Sequence, residues 1–374
     1  MKVVVVLSDP PALEGGAIAK CAVGMIRGLR AHGLEVSVAA AHRPFNGSMS
    51  SPVDLGVQPI EVPWSLATQA HHYLIRPFGG LARGEFKAWV NRACATADVL
   101  HLEELEAAWC DLDTHVPSAV RLHYRARLDQ SLGLPWSKSF RGVLAAAIAE
   151  RAAIRRHRWL VANSPEVART LKEAAPNAEV VIAPLCLDPA DYCLAPLDGP
   201  PIAGIIGTGS WAPSAAAIHR LLLRVWPKVL RRVPDARLMI AGRNTNRLRS
   251  VAGPGVEILG PVESARGFLE SLSVLVYPLG RGSGMKVKVL ESLAAGLPVV
   301  TTTAGAEGIQ AEGGMIVDDE DDRLAAAAAQ ILVDVRERRE RGAAARATFL
   351  RRYSPLPATE PLAELYRRMA AESV

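Results

Sequence analysis

The chain alternates short apolar runs of strand length with longer segments whose apolar residues recur at helical spacing. Val3–Leu7 is an unbroken apolar run, and Ala17–His32 carries apolar residues at i, i+3 and i+4 before Gly33 closes it. Glu35–Ala40 follows as the next strand. Because a strand, a helix and a strand in this order imply a right-handed crossover, the pattern predicts a parallel sheet and an α/β fold.

The same alternation continues to about residue 187. Further strands are expected at Val99–Leu102, Ala119–Leu122, Trp159–Ala162 and Val180–Ala183, with a helix at Phe140–His157. Pro44–Pro77 is rich in Pro, Gly and Ser and is expected to be irregular. Asp188–Pro201 contains four prolines and is predicted to be a linker between domains.

A second alternating unit begins after this linker. It comprises predicted strands at Ile202–Ile206, Arg237–Ala241, Val256–Leu259, Val274–Tyr277 and Pro298–Thr302, and helices at Ser214–Val233, Val287–Ala295, Leu324–Phe349 and Pro355–Met369. We therefore expect two doubly wound Rossmann-like domains, over 1–188 and 200–354, facing each other across a ligand cleft. The C-terminal helix, at about 355–372, is expected to pack back on the first domain.

Composition and charge narrow the class of protein. The chain has 374 residues, of which 49% are hydrophobic and 22% charged, as in globular proteins. It carries 43 basic and 38 acidic residues; residues 1–200 hold 20 of each, so the surplus of +5 lies after residue 200. This surplus is too small for a nucleic-acid partner but suits a compact anion such as a diphosphate.

The sequence also bears on location and on metals. No apolar run reaches the roughly 18 residues of a membrane span, and the first apolar run is too short for a signal peptide. Five cysteines without a C-x-x-C pair favour reduced thiols, so a cytoplasmic protein is expected. The histidines include no H-E-x-x-H pattern, and no metal is expected.

Two predicted strand-to-helix turns carry glycine where a phosphate can approach backbone amides. They are Gly15-Gly16 and the turn Gly207-Thr208-Gly209-Ser210; each is equally compatible with a bare tight turn. The second turn fits the dinucleotide pattern G-x-G-x-x-A. The following strand, however, ends in Gly242-Arg243 instead of the carboxylate that would bind a ribose, which argues against an NAD-dependent dehydrogenase.

The segment 278–308 carries the most chemical information. A loop with Gly280, Arg281, Gly282 and Gly284 opens a helix on which Lys286, Lys288 and Glu291 lie. Loop amides with Arg281 or Lys286 would hold a diphosphate, and Glu291 would accept hydrogen bonds from a ribose diol. The alternative is that Lys288 and Glu291 form an exposed i, i+3 ion pair.

This segment resembles the donor-binding signature of the family 4 glycosyltransferases, in a GSGMKVKVLE-type subgroup. These are retaining sugar-nucleotide enzymes with the GT-B fold. The resemblance implies that Glu291 binds the ribose and that the loop from Gly284 to Val287 lies against the donor sugar and phosphates. The complete set of expected donor-binding residues is Gly15, Gly16, Gly207, Gly209, Ser210, Arg243, Val262, Arg281, Ser283, Gly284, Met285, Lys286, Val287 and Glu291.

The chain departs from the family pattern at two places. Ser283 stands where the family usually has the first Glu of E-x7-E, which affects the contact to the donor sugar. The turn after Ile206 lacks the family's cations, so Arg281, Lys286 or Arg243 is expected to meet the phosphate charge.

One residue of the first domain also resembles a family feature. His123 resembles the histidine that many members present to the donor sugar, and it is the expected catalytic residue. His101 and Glu103 are further candidates on the acceptor side.

The resemblance implies transfer of a hexosyl group from a UDP-, GDP- or dTDP-sugar to an acceptor hydroxyl, with retention and without a metal. The acceptor, whether a glycan, a lipid-linked sugar or a small molecule, is expected to contact 44–92, whose aromatic and basic residues fit an acceptor, an anionic membrane face or ordinary core. A sugar-nucleotide epimerase with the GT-B fold and a non-catalytic sugar-nucleotide binder remain open. The basic cluster Arg336, Arg338, Arg339 and Arg341 is expected to be a solvated helix face.

Overall fold

The chain forms two compact units. The structure, a computed structural model, describes residues 1–43, 55–57, 59–129, 138–310 and 312–372. Unit 1 comprises Met1–Cys186 with Pro355–Val374, and unit 2 comprises Leu187–Ser354. The C-terminal helix therefore belongs to the same unit as the N-terminal strand.

Unit 1 is built on one parallel sheet. Its strands are β1 (Lys2–Leu7), β2 (Glu35–His42), β3 (Pro59–Glu61), β4 (Val99–Glu103), β5 (Ser118–Leu122), β6 (Trp159–Ala162) and β7 (Glu179–Ile182). Its helices are α1 (Ala17–Ala31), α2 (Leu66–Ala70), α3 (Gly84–Cys94), α4 (Glu104–Ala107), α5 (Ala126–Asp129), α6 (Lys138–Arg156) and α7 (Pro165–Ala174), with a π-helical turn at His71–Ile75. The strand order is β3-β2-β1-β4-β5-β6-β7, and every neighbouring pair is parallel.

Both faces of this sheet are covered, which is why its strands read as continuous apolar runs. On one face, Val3, Val5 and Leu7 pack in a core with residues of α1 and of the C-terminal helix, such as Met25 and Tyr366. On the other face, the alternate residues of the same strands pack in a second core with residues of α3 and α7.

Unit 2 repeats the architecture with six parallel strands. These are β8 (Ile202–Ile206), β9 (Arg237–Ala241), β10 (Val256–Gly260), β11 (Val274–Tyr277), β12 (Val299–Thr301) and β13 (Met315–Val317), in the order β10-β9-β8-β11-β12-β13. The helices are α8 (Ala212–Arg220), α9 (Trp226–Leu230), α10 (Ala265–Glu270), α11 (Val287–Ala294), α12 (Asp321–Val333) and α13 (Val335–Arg352), with a π-helical turn at Leu221–Val225 and 3-10 turns at Pro189–Asp191 and Thr245–Val251. Helix α14 (Pro355–Ala371) ends the chain and packs on α1.

Two predictions about local structure are wrong. The described part of Pro44–Pro77 is irregular only in part, because Pro59–Glu61 pairs with β2 and Leu66–Ile75 is helical. The helix expected over Leu324–Phe349 is two helices, because Asp334 ends α12 and its side chain caps the Glu337 N–H of α13. The helix expected over Ser214–Val233 is present from Ala212 to Leu230, and it widens into a π-helical turn just before Pro227, which has no N–H to donate.

Within the described ranges, no helix combines the length and the apolar character that crossing a bilayer requires.

Candidate active site

Each sheet has one point where the direction of winding reverses. In unit 1 it lies between β1 and β4, and in unit 2 between β8 and β11. Parallel α/β sheets bind ligands beyond the carboxyl ends of the strands at such points. The expected site residues follow strand ends accordingly, with Gly15 after β1, His123 after β5 and Gly207 after β8.

The glycine loop after β11 leads into α11 at the switch point of unit 2. Gly284 has φ +74°, a left-handed conformation that a side chain at this position would strain. Lys286 is the N-cap of α11, and its Nζ turns back to donate to the Ser283 and Gly284 carbonyls, the first at 3.1 Å. Lys286 also lies 3.8 Å from a Glu307 carboxylate oxygen. The loop is therefore held by its own lysine.

The remaining residues of this loop differ in their exposure to solvent. Ser283, Gly284 and Met285 are buried, Val287 is half-buried, and Arg281 is exposed. Arg281 is therefore the residue of this loop whose cation is presented to solvent.

Glu291 is buried in the first turns of α11. Its side chain is only 4% exposed, and its Oε1 accepts a hydrogen bond from the Tyr192 hydroxyl at 3.3 Å. The alternative of an exposed ion pair with Lys288 therefore fails. A carboxylate accepts hydrogen bonds at both of its oxygens, so this buried group is chemically suited to a diol.

Lys288 places a cation beside the turn after β8. Its Nζ donates to Ser214 Oγ at 3.3 Å and lies 4.6 Å from the ring centroid of Tyr277. A Cβ added to Gly207 would stand 3.1 Å from the same Nζ. Burial lowers the pKa of Lys288 to about 8, against the opposing effect of Glu291. The turn that lacks a cation of its own thus receives one from α11.

The loops after β8 and β9 pack backbone against backbone. Gly207 N–H donates to the Ala241 carbonyl at 3.0 Å, and Gly209 N–H donates to the Arg243 carbonyl at 2.8 Å. A Cβ on Gly242, whose φ is +129°, would stand 2.1 Å from the Gly207 carbonyl oxygen. The glycines of this turn therefore serve close loop packing, and two of its amides are already used.

The other predicted residues of these loops lie at the surface. Ser210 is exposed and its Oγ accepts from the Asn244 amide at 3.1 Å, while Arg243 is exposed and Val262, after β10, is half-buried.

The glycine turn of unit 1 is more open. A Cβ on Gly15 would lie 2.7 Å from the Ala19 Cβ, so Gly15 is fixed by packing. Gly16 is the N-cap of α1, and beyond Gly16 itself and its two chain neighbours no heavy atom lies within 4 Å of the position a Cβ would take. The start of α1 can therefore be approached closely on the Gly16 side.

His123 is enclosed by polar partners at the carboxyl end of β5. Its Nε2 lies 2.5 Å from Glu103 Oε1, and its backbone N–H donates to Glu104 Oε1 at 3.0 Å. The Asn163 amide donates to the His123 carbonyl at 2.9 Å. The imidazole is 8% exposed, so its ring and carbonyl are both held in place.

The two carboxyl groups beside His123 are tuned in opposite directions. Burial by itself would raise the pKa of Glu103, but Arg121, His123 and His101 outweigh burial and hold that pKa well below its usual range. For Glu104, burial and the neighbouring Glu103 raise the pKa, against the opposing influence of His123. Carboxyl groups of opposite character, close to one histidine, are typical of acid–base chemistry.

Glu104 is a residue that the sequence interpretation missed, and Lys288 was named beside the nucleotide site but not as the cation of the β8 turn. Alternation along β4 and β5 puts 101, 103, 121 and 123 on one face, and Glu103 pairs with Arg121 in register, so this cluster had a detectable period of two. Glu104 has φ +69°, and nothing in the local sequence indicates that conformation. The position of Lys288 beside Gly207 depends on strand order.

In the part of the chain that the structure describes, no three His, Cys, Asp or Glu side chains are grouped as a metal site would require.

The known proteins to which the chain is similar are glycosyltransferases. Residues 202–334 match the family described as "Glycosyl transferases group 1". A phosphatidyl-myo-inositol mannosyltransferase of Mycolicibacterium smegmatis is 26% identical over 325 residues, covering 82% of this chain and 78% of the relative.

Solved structures resemble the chain over nearly its whole length. Sucrose-phosphate synthase of Thermosynechococcus elongatus has a TM-score of 0.69 at 15% identity, with 100% of both chains covered. HepE of Anabaena, in complex with UDP and glucose, has a TM-score of 0.63 at 14% identity, covering 98% of this chain and 99% of the other.

The fold is therefore GT-B, two Rossmann-like units in one chain. With the matched domain over 202–334 in unit 2, the resemblance to family 4-like glycosyltransferases is confirmed: this domain matches group 1 glycosyltransferases, and the fold of the chain is that of GT-B glycosyltransferases. The GSGMKVKVLE-type subgroup stays a prediction.

Proposed function

We propose that the protein transfers a hexosyl group from a nucleoside diphosphate sugar to an acceptor hydroxyl, with retention of anomeric configuration and without a metal. Unit 2 (187–354) is the donor-binding unit in this proposal, and unit 1 (1–186 with 355–374) binds the acceptor. HepE, which shares the fold, is known with UDP and glucose, so a UDP-hexose is the first donor to test.

The observation that carries the proposal is the loop before α11 with Glu291 behind it. Gly284 permits the turn, the start of α11 offers backbone amides for phosphate, and Glu291 supplies a buried carboxylate further along the helix. This order of anion site and diol acceptor matches the order of diphosphate and ribose in a nucleotide.

Cations around the loops support a donor site without a metal. Lys288 lies beside the β8 turn, Lys286 is folded over the loop carbonyls, and Arg281 is exposed beside them. Glycosyl transfer passes through an oxocarbenium-like state while the leaving diphosphate gains charge, and positive groups next to it lower the barrier. In a front-face reaction the donor phosphate accepts the proton of the acceptor hydroxyl, and His123 contacts the sugar.

Donor binding is tested with purified protein and UDP-, GDP- and dTDP-hexoses in thermal unfolding. A ligand at 100 times its Kd adds about 2.7 kcal/mol to stability. We expect the hexose nucleotides of one of the three bases to stabilise the wild type. The substitution Glu291→Ala should abolish that stabilisation. Glu257→Ala, which removes an exposed carboxylate paired with Arg237 in the same unit, is the control. Unchanged stabilisation of Glu291→Ala would contradict the donor site.

Retention and metal independence are tested in the same preparation. We expect transfer to survive EDTA and the anomeric proton of the product to keep the configuration of the donor in NMR. An inverted product or loss of turnover in EDTA would refute the respective part of the proposal.

One observation favours an alternative. Glu103, Glu104 and His123 form the kind of acid–base cluster that a sugar-nucleotide epimerase needs. Incubating the donor without acceptor separates the two reactions, because an epimerase forms an epimeric sugar nucleotide. A protein that binds the donor but does neither is the non-catalytic binder.

Exposed apolar side chains on one segment of unit 1 support a proposal for the acceptor surface. Leu66, Tyr73, Leu74 and Ile75 are exposed on the segment formed by α2 and the following π-helical turn. A hydrophobic acceptor or a peripheral membrane contact would cover these side chains. Sedimentation with anionic and neutral vesicles distinguishes a membrane contact from an acceptor site.

A further inference from the structure

A chain of four buried side chains joins the last helix to the end of β5. The Tyr366 hydroxyl on α14 lies 2.7 Å from His101 Nδ1, and His101 Nε2 lies 2.5 Å from Glu103 Oε2. The other oxygen of Glu103 lies 2.5 Å from His123 Nε2. None of the four side chains is more than 8% exposed. All four belong to unit 1, so the connection lies within one compact body.

The charge of Glu103 fixes the direction of these hydrogen bonds. Its pKa is held well below the usual range, and Arg121 lies 3.9 Å from Oε1. An ionised carboxylate only accepts hydrogen bonds, so both histidines must donate to it from Nε2. A neutral His101 then accepts from the Tyr366 hydroxyl at Nδ1, so with both imidazoles neutral the four side chains have a single hydrogen-bond arrangement.

For His123, the same constraint selects one tautomer. Nε2 donates its N–H to Glu103, so in the neutral ring Nδ1 carries the lone pair and is the nitrogen that can accept a proton. Nδ1 lies 3.4 Å from Glu104 Oε1. Glu104 is held there in a left-handed conformation, φ +69°, which is strained for a residue other than glycine. Strain of this kind persists only where the surroundings fix the residue.

We propose that Glu103 is a positioning residue: it holds His123 in the Nε2–H form with Nδ1 turned to Glu104, and through His101 it links this orientation to Tyr366 on the C-terminal helix. The inference rests on the proposed role of His123 at the donor sugar. Glu103 and Tyr366 act through His123 and do not themselves touch the substrate. A purely structural network would tie α14 to the sheet without affecting the ring of His123.

The test compares Glu103→Gln and Tyr366→Phe with the wild type. Gln keeps the shape of Glu103 but removes its charge and presents an amide N–H₂ to one histidine, and Phe removes only a hydroxyl. Ring ¹⁵N shifts of labelled protein, with His123 assigned by its loss in His123→Gln, report the tautomer. Turnover with the donor gives kcat and KM, and thermal unfolding gives stability.

We expect the ¹⁵N shifts of His123 to show the Nε2–H form in the wild type and a mixture in Glu103→Gln. We expect kcat of Glu103→Gln to fall about 10-fold or more with KM for the donor unchanged, because a carboxylate that orients a histidine acts on the chemical step. Tyr366→Phe should change the ¹⁵N shifts of His123 and kcat in the same direction as Glu103→Gln, but by less.

A matched control lies before the amino end of β6, the strand that pairs with β5. His157 precedes β6, is buried, and has Nε2 3.0 Å from Asp111 Oδ2, so it is another buried histidine paired with a carboxylate. His157→Gln should lower stability while kcat per folded molecule stays unchanged.

An unaltered tautomer with unaltered kcat in both variants, at whatever cost in stability, overturns the proposal. If Glu103→Gln does not fold, Tyr366→Phe alone decides by the same two readouts. A wild type that turns over no sugar nucleotide refutes the proposed function instead, and the tautomer comparison still decides whether Glu103 controls the ring.

Discussion

Replacing Lys288 by methionine removes the cation beside the β8 turn and keeps the length of the side chain. Lys288 as a residue is half-buried, and its ammonium lies 3.3 Å from Ser214 Oγ and 4.6 Å from the Tyr277 ring centroid. If a diphosphate oxygen binds at this turn, Lys288 is the group that meets its charge. A hydrogen bond to a charged group contributes about 1.5–3 kcal/mol, which corresponds to about 10- to 150-fold in Kd.

The pH dependence of nucleoside diphosphate binding tests the role of Lys288 independently. Burial lowers the pKa of Lys288 to about 8, so the cation is present at pH 7 and is lost as pH rises through that value. Affinity of the wild type for the nucleoside diphosphate should therefore weaken between pH 7 and pH 9.5, and that of Lys288→Met should not. A bound anion favours the charged lysine, which shifts the transition towards higher pH.

Isothermal titration calorimetry with the nucleoside diphosphate and with the bare nucleoside is the assay. The nucleoside lacks the phosphates, so its Kd should be unaffected by the substitution. Lys228→Met removes a lysine of the same unit that is paired with Asp322 at 2.8 Å, and it should leave both values unchanged. A diphosphate Kd that Lys288→Met changes less than twofold, with no weakening above pH 8, would refute the role of Lys288.

Further predictions concern the fold and the network. Gly284→Ala should cost about 1–2 kcal/mol in denaturant unfolding and weaken donor binding, since φ is +74° at this turn. Arg338→Met should lower the free energy of unfolding by about 3 kcal/mol, because four carbonyls would lose their hydrogen-bond donor. They belong to Leu197, Gly199, Ile331 and Leu332. Arg336→Met, on the same helix but exposed, is the control. The pKa of Glu103 is lowered, so its contribution is present above its unfolded pKa and lost at acid pH; the stability difference between wild type and Glu103→Gln should shrink in urea titrations from pH 6 to pH 3.

Strands buried on both faces were the most predictable elements. Trp159–Ala162, Ile202–Ile206 and Val274–Tyr277 begin and end where the apolar runs do. Such runs are specified locally, because both faces of a parallel strand must be apolar. β3 was not predictable in this way, since Pro59–Glu61 is a strand only through its pairing with β2.

The arginines on α13 show that the residue types of a helix do not by themselves predict which side chains are buried. Arg336, Arg338, Arg339 and Arg341 were expected to form one solvated face, and for Arg338 that prediction is wrong. Its side chain is 1% exposed and donates to the carbonyls of Leu197 and Gly199, about 140 residues away in sequence. A buried guanidinium is stable only with such partners, and they come from a distant segment.

The sequence by itself determined the two α/β units, the glycine turns, the loop before α11, the position of Glu291 on α11 and that of His123 after β5. Helix and strand periods and glycine conformations act over short distances, which is why these features are read locally. Tertiary structure decided which of these groups meet. Strand order puts Lys288 beside Gly207, register puts Glu103 against Arg121, and the packing of α14 puts Tyr366 on His101. Hydrogen bonds and charges act between neighbours in space, and for these residues the neighbours are brought together only by the completed fold.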